Sequence, residues 1–375
     1  MPVGYLVSTV LVAVPTLAAL APRRRPRALA SVSFRLGMAI NELPFVALYW
    51  LVATTALAIT QGDVRGAGSA IPFALALLTA AGLAIIVRRA LRARYVVDDA
   101  LRTAYGTDAP HDHRPWATVL LTPFRVERGD VERIADIAYG EEATRNRLDV
   151  YRARSHPSGA PVLVYFHGGG FVGGHKHREA RPFLYRFASR GWVCVSANYR
   201  LRPAARFPDP LIDAKRVIAW VREHGGEYGA DPTTLVVAGS SAGGFLASML
   251  ALTAGDPAFQ PGFEQADTEI TAAVSLYGYY GELGRDAPRS SPFSCDAGNA
   301  PPCFVVHGDL DTLVLVEAAQ QFVEHLRAGS ANAVVYAELP GAQHSFDRFR
   351  TLRFDAVVDG IEAFATKVRG ADAAG

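Results

Sequence analysis

Five consecutive residues have the types and spacing for nucleophilic chemistry: Gly239-Ser240-Ser241-Ala242-Gly243, a G-x-S-x-G pattern. The run before them, Thr234–Ala238, is β-branched and apolar and predicts a buried strand. The run after them, Gly244–Leu252, suits a helix. A strand that turns sharply into a helix around such a serine holds it on a strained turn. The flanking glycines leave room where side chains would meet the neighbouring strand and helix. The N-terminus of the following helix also directs free N–H groups towards the serine. Alone, the pentapeptide fits any glycine-rich loop; between a strand and a helix it makes Ser241 the candidate nucleophile.

A serine nucleophile needs an oxyanion site, a base and an orienting acid. His167-Gly168-Gly169-Gly170-Phe171 directly follows a predicted strand, Pro161–Phe166. A plain glycine turn is the bland reading. At a strand end two strands before Ser241, the run lets backbone N–H groups approach a developing oxyanion unobstructed. Gly169, Gly170 and Ala242 are the candidate donors, and His167 is expected to brace the loop rather than react. In the strand–turn–helix arrangement the order is serine, acid, histidine, with the acid just past a strand. His307-Gly308-Asp309-Leu310-Asp311 follows the strand Pro302–Val306 and offers two acids, Asp309 and Asp311. Gly341-Ala342-Gln343-His344 follows the strand Ala333–Leu339, so His344 is the candidate base. His175 and His177 lie just beyond the glycine run, where a polar loop is the expected reading and lining of the pocket mouth the alternative.

The elements that must position these groups alternate. Arg133–Tyr139 and Arg147–Arg152 read as a hairpin, and Trp192–Tyr199 and Thr271–Leu276 as further strands. Pro210–His224, Val316–Leu326 and Phe354–Val368 read as helices. Strands alternating with helices imply a mostly parallel sheet covered on both faces, an α/β fold.

The first 94 residues differ in kind. Met1–Pro22, Leu43–Gly62 and Gly66–Val87 carry no charged residue over 22, 20 and 22 residues. Crossing a bilayer takes about 20. A set of buried core helices is the alternative, but three such stretches at the front predict three transmembrane helices. The first has no basic residue before it, unlike a secretory signal peptide. The arginines fall in two clusters, Arg23–Arg27 and Arg88–Arg94, which three spans put on one side. The bias of such charges in short loops orients that side to the cytoplasm. This predicts a multi-pass cell-membrane protein with a cytoplasmic catalytic domain and an outward N-terminus. Residues 1–94 hold ten arginines against two acids, a net +8 within a chain of +2, leaving −6 for the rest. That basic region suits anionic headgroups and membrane lipids, not nucleic acid. The expected organisation is a membrane region over 1–94, a linker and possible lid over 95–132, and a catalytic domain over 133–375. Within the linker, Asp98–Tyr105 reads as a short helix. His111 and His113 read as a solvated loop rather than a metal site. Cys194, Cys295 and Cys303 give neither a disulfide framework nor a metal spacing, and a Cys295–Cys303 bridge would be unexpected in the cytoplasm.

The sequence resembles the bacterial hormone-sensitive-lipase-like esterases, a branch of the α/β-hydrolase fold. His167-Gly168-Gly169-Gly170, Asn198-Tyr199-Arg200-Leu201, Tyr228-Gly229-Ala230-Asp231-Pro232, Ser241-Ala242-Gly243-Gly244, Asp311 and His344 carry the resemblance, over roughly residues 133–368. It implies carboxylic-ester hydrolysis and favours Asp311 over Asp309 as the acid. The chain departs from the family at Ser240, where aspartate is common, and at Pro203-Ala204, where Pro-Glu is common. Only 70 residues separate Ser241 from Asp311, so any lid is expected mainly from residues 95–135.

The expected activity is that of a membrane-anchored serine carboxylesterase or lipase. It would act on a small-molecule or lipid-like ester through an acyl-enzyme, without metal or organic cofactor. The same residues would serve an acyltransferase or an amide hydrolase. A non-catalytic ligand-binding membrane protein is the reading from another class, and the complete Ser241, Asp311 and His344 set weighs against it.

Overall fold

The computed structural model describes residues 3–63, 67–106, 116–284 and 289–372. Four helices come first: α1 (Val3–Leu20), α2 (Arg27–Glu42), α3 (Pro44–Thr60) and α4 (Ala70–Tyr105). A short α5 (Trp116–Leu121) leads to the hairpin β1 (Val131–Ala138) and β2 (Arg147–Ala153). There follow β3 (Ala160–Phe166), α6 (Arg181–Ser189), β4 (Val193–Ala197), α7 (Asp209–His224), β5 (Ala230–Ser240) and α8 (Ala242–Leu252). The chain closes with β6 (Ala272–Leu276), β7 (Cys303–Gly308), α9 (Val316–Gly329), β8 (Val334–Leu339) and α10 (Leu352–Asp372).

The eight strands form one sheet in the order β1-β2-β4-β3-β5-β6-β7-β8. Pairing is antiparallel for β1 with β2 and β2 with β4, and parallel from β4 through β8. Central strands such as β3 are buried along their whole length, as a sheet covered on both faces requires. One apolar core includes Val164, Val237, Phe245 and Phe322 from the side of α7, α8 and α9. The other includes Leu163, Val236, Phe187 and Phe364 from the side of α6 and α10. Alternate residues of each strand serve the two cores, the period-2 consequence of the pleat. The fold is the α/β-hydrolase sheet, preceded by apolar helices.

α1, α3 and α4 pack on one another through Tyr5, Val12, Ala47, Leu51, Ala76, Leu83 and Ile86. Their outer faces expose Leu11, Leu17, Trp50, Leu57, Leu77 and Leu78. An apolar exterior around an apolar interior is the pattern of helices solvated by lipid. Among the described residues α1 and α4 are each long and apolar enough to cross a membrane. α2 and α3, bent by 83°, make a third candidate only as a pair.

α4 departs from the sequence reading. Asp98–Tyr105 is not a separate short helix but the end of a 36-residue one. No glycine or proline interrupts residues 83–105. Past its arginines the helix presents Ala93, Val97 and Leu101 to the second core, and Gly106 ends it in the left-handed conformation. At 1.5 Å per residue α4 is about 54 Å long, so one rod joins the apolar bundle to the sheet. α5, later in the linker, packs at the α2–α3 bend, where Trp116 meets Phe45 at 6.3 Å. His111 and His113 lie outside the described residues.

A buried ion pair ties α2 to the domain. Arg353, on the first turn of α10, bonds Glu42 Oε1 and the Asn41 carbonyl, both at 3.0 Å. Removing one partner of a buried pair leaves the other charge without compensation, at a cost of about 3–5 kcal/mol. Glu42→Ala should therefore lower unfolding stability by about 3–5 kcal/mol in detergent-solubilised protein. A loss under about 1 kcal/mol, the worth of an exposed pair, would show that the link contributes little.

Candidate active site

The candidate nucleophile sits where β5 gives way to α8. Ser241 has φ +53° and ψ −112°, outside the relaxed regions for a side-chain-bearing residue. Its N–H donates to the Leu276 carbonyl at 2.9 Å, and its own carbonyl accepts from Tyr279 and Phe245. The glycines around it are sterically obligatory. A Cβ on Gly239 would stand 2.1 Å from the Gly243 carbonyl oxygen, and one on Gly243 would stand 1.9 Å from that of Phe166. Ser241 is half-buried and lines a pocket of about 570 Å³ with Gly170, Phe171, Ala242, Tyr279 and Val314.

The glycine run leaves the carboxyl end of β3. Gly169 and Gly170 have φ +111° and +62°, which turn the loop over Ser241. Gly168 lies so close that a Cβ there would be 3.2 Å from that of Ser241. His167 is stacked on Tyr199, with ring centroids 4.4 Å apart, and the Tyr199 hydroxyl donates to the His167 carbonyl. Burial lowers the His167 pKa to about 4, so the ring is a neutral brace at ordinary pH.

Asp311 and His344 meet. His344 Nδ1 lies 2.7 Å from Asp311 Oδ2. The other carboxylate oxygen accepts from the Leu313 and Val314 N–H groups at 2.8 and 3.0 Å. Burial alone would raise the Asp311 pKa, but the hydrogen bonds and charges of His344 and His307 prevail and hold it well below the usual carboxylate value. It is an ionised acceptor throughout the range in which a histidine base works. Asp309 is engaged elsewhere, accepting from the Gly341 N–H at 2.6 Å. Tyr277 links the two halves of the site. It follows Leu276, which anchors Ser241, and its ring is 4.6 Å from that of His344.

Three participants were not evident in the sequence. His307, fully buried, places Nε2 3.3 Å from Asp311 Oδ2 and 2.9 Å from the Val314 carbonyl. Its position four residues before Asp311, at a strand end, was the available signal. Glu179 accepts from the Gly168 N–H at 2.7 Å and from Ser240 Oγ at 3.4 Å. It brings a carboxylate beside the position where the resemblance leads one to expect an aspartate. Phe34 of α2 packs edge-on against His344, with centroids 6.1 Å apart. His175 and His177 pack edge to face, and His175 meets Asn198 rather than the pocket. The three cysteines are buried and free.

A pocket-lining hydroxyl on a strained turn, glycine N–H groups beside it and a histidine polarised by a buried carboxylate can together transfer an acyl group. Comparison with known proteins agrees. Residues 148–281 match the BD-FAE family. The whole chain aligns with "Probable carboxylic ester hydrolase LipM" of Mycobacterium tuberculosis at 35% identity, covering 95% of that protein. "Esterase LipQ" of the same organism is 38% identical over 63% of this chain and 62% of its own length. Thermogutta terrifontis esterase 2, solved phosphorylated by paraoxon, superposes with a TM-score of 0.57 at 26% identity, covering 64% of this chain and 95% of its own. The same esterase with butyrate bound gives 0.56 at 25% identity, with the same coverage.

The two acids can be told apart by experiment. Asp311→Asn should cost about 10⁴-fold in turnover, the loss when a triad histidine is left in the wrong tautomer. Asp309→Asn keeps an acceptor for the Gly341 N–H and should stay within about tenfold of the parent. Steady-state hydrolysis of p-nitrophenyl butyrate by both variants checks this, and a selective loss at Asp309 would reverse the assignment.

Proposed function

The chain belongs to the family of carboxylic ester hydrolases that includes LipM, and from that premise we propose that it is a membrane-anchored serine esterase working through Ser241, His344 and Asp311. The observation that carries the reading is the 2.7 Å bond from His344 Nδ1 to Asp311 beside the pocket that holds Ser241. With the proton on Nδ1 committed to Asp311, Nε2 is left as the base. It takes the Ser241 proton as Oγ attacks the ester carbonyl. The N–H groups of Gly169, Gly170 and Ala242 receive the negative charge that develops on the carbonyl oxygen. The tetrahedral intermediate collapses, and the alcohol leaves with the proton from His344. Water then attacks the acyl-enzyme and gives a proton to His344, which passes it to the departing Ser241 Oγ as the acid is released. The cycle uses no metal or organic cofactor.

The apolar exterior of α1, α3 and α4 supports a multi-pass anchor over residues 1–94. Residues 95–132 form the linker, and 133–375 the catalytic domain. α4 crosses the first of these boundaries. The arginine clusters on either side of the second and third apolar stretches favour a cytoplasmic catalytic domain.

Ser241→Ala should abolish hydrolysis of p-nitrophenyl butyrate, on the order of 10⁶-fold as for a subtilisin nucleophile, while the protein still folds. Retained turnover in that variant, with loss in Ser240→Ala, would defeat the assignment. A reporter fused after Gly375 should be active as a cytoplasmic protein and silent as alkaline phosphatase; the reverse pattern would invert the topology.

A further inference from the structure

We propose that α2 is the lipid-facing edge of the active site, through which esters dissolved in the interfacial layer of the bilayer reach the pocket. The inference rests on the esterase reading above and names its substrate class.

α2 lies one residue layer from the pocket. Its Ala30 carbonyl accepts from the Thr312 hydroxyl at 3.0 Å, and its Phe34 ring meets His344. Thr312 stands between Asp311 and Leu313, and the next residue, Val314, lines the pocket. Arg24, in the turn leading into α2, bonds the Asp309 carbonyl. The loop that supplies the acid is thus held by the helix and its approach.

The same helix is tied to the apolar bundle at both ends. α1 ends at Leu20, α3 begins at Pro44 with only Leu43 between, and the 83° bend turns α2 across the direction of α3. α2 rests on the last turn of α1, where a Cβ on Gly37 would come 3.0 Å from the Ala19 nitrogen. The short join at Leu43 and the packing at Gly37 hold α2 against the apolar bundle.

Its faces have matching chemistry. Ala30, Ser33, Gly37 and Asn41 are buried against the bundle and the domain. Leu29, Val32 and Leu36 remain exposed at 49%, 49% and 42%, with Arg27 and Arg35 among them. An apolar strip flanked by arginines suits a helix lying in the headgroup–acyl boundary. Leu313 and Val172 are exposed as well, each one residue from a pocket-lining residue. The occupant is lipid because the helices joined to α2 are those with lipid-suited exteriors. A hydrocarbon tail can then stay in the bilayer while its ester carbonyl reaches Ser241.

The test uses the full-length protein reconstituted in phosphatidylcholine–phosphatidylglycerol vesicles. One probe is methylumbelliferyl oleate carried in the vesicles; the other is p-nitrophenyl butyrate in solution. In the double variant Val32→Glu, Leu36→Glu the ratio of vesicle-borne to soluble activity should fall about tenfold or more. The milder pair Val32→Ser, Leu36→Ser should lower the same ratio less, and covers the case in which the glutamates prevent folding. An unchanged ratio in the folded variants overturns the proposal. Ser241→Ala must remove both activities; if it does not, the esterase assignment fails and not the role of α2. A nitroxide on Val32→Cys should collide with oxygen more than with a water-soluble nickel chelate. The opposite preference, or shielding from both by a protein cover, overturns it.

Discussion

The whole site depends on how closely three backbones approach at the end of β5. Gly239 and Gly243 let β5, β3 and α8 meet with no side chain between them, and Gly244 lets α8 meet Gly278 just past β6. The nearest approaches to a hypothetical Cβ are 2.1, 1.9 and 2.8 Å, all to backbone atoms. Only that proximity holds Ser241 at φ +53°, a conformation that costs about 1–3 kcal/mol and persists where its surroundings over-determine it. The strain is useful because it lifts a serine out of the sheet into a pocket while its N–H stays bonded to Leu276 of β6. Parallel strand order does the rest. β3, β5, β7 and β8 all deliver their carboxyl ends to one edge, so the glycine loop, Ser241, Asp311 and His344 arrive together from distant parts of the chain.

Electrostatics divides the titratable groups by their surroundings. Asp311 is buried yet charged, because two backbone N–H groups and two histidines face it. His167 is buried and neutral, because it has a stacking partner and no carboxylate. Burial pushes both towards neutrality, and hydrogen-bonded neighbours decide which one resists. The buried Arg353–Glu42 pair follows the same rule on a larger scale, since each charge is tolerable only in the presence of the other. It makes the apolar bundle and the sheet parts of one structure rather than a domain on a detachable tether.

Much of this was legible in the sequence because it is local. Thr234–Ala238 and Pro161–Phe166 announce strands by composition, and the glycines after them announce close approaches. The candidate serine and histidine follow from order along the chain, which leaves Asp309 and Asp311 both open, and only the resemblance favours Asp311. What was not legible depends on tertiary neighbours. Glu179 sits in a loop with no pattern of its own, and only the fold brings it to Gly168 and Ser240. Asp309 and Asp311 differ by two residues, and it is the turn after β7 that points one at Gly341 and the other at His344. α2 escaped notice because Arg27, Arg35 and Glu42 break its apolar run. Charge-free stretches mark the helices apolar enough to cross a bilayer, and α2 with its arginines is not among them. The end of α4 was read as separate because arginines usually close a span, whereas here the helix continues into the sheet's apolar face.

The central claim is that Ser241 is the residue that carries the acyl group. Thermogutta terrifontis esterase 2 accepts a phosphoryl group from paraoxon, which suggests the direct measurement. The full-length protein, treated with paraoxon, is digested and the peptide spanning Gly239–Gly243 sequenced by tandem mass spectrometry. The account predicts a single diethylphosphoryl group on Ser241, absent when the protein is unfolded before treatment. Modification of Ser240 in place of Ser241, or of neither in protein that hydrolyses esters, would contradict it.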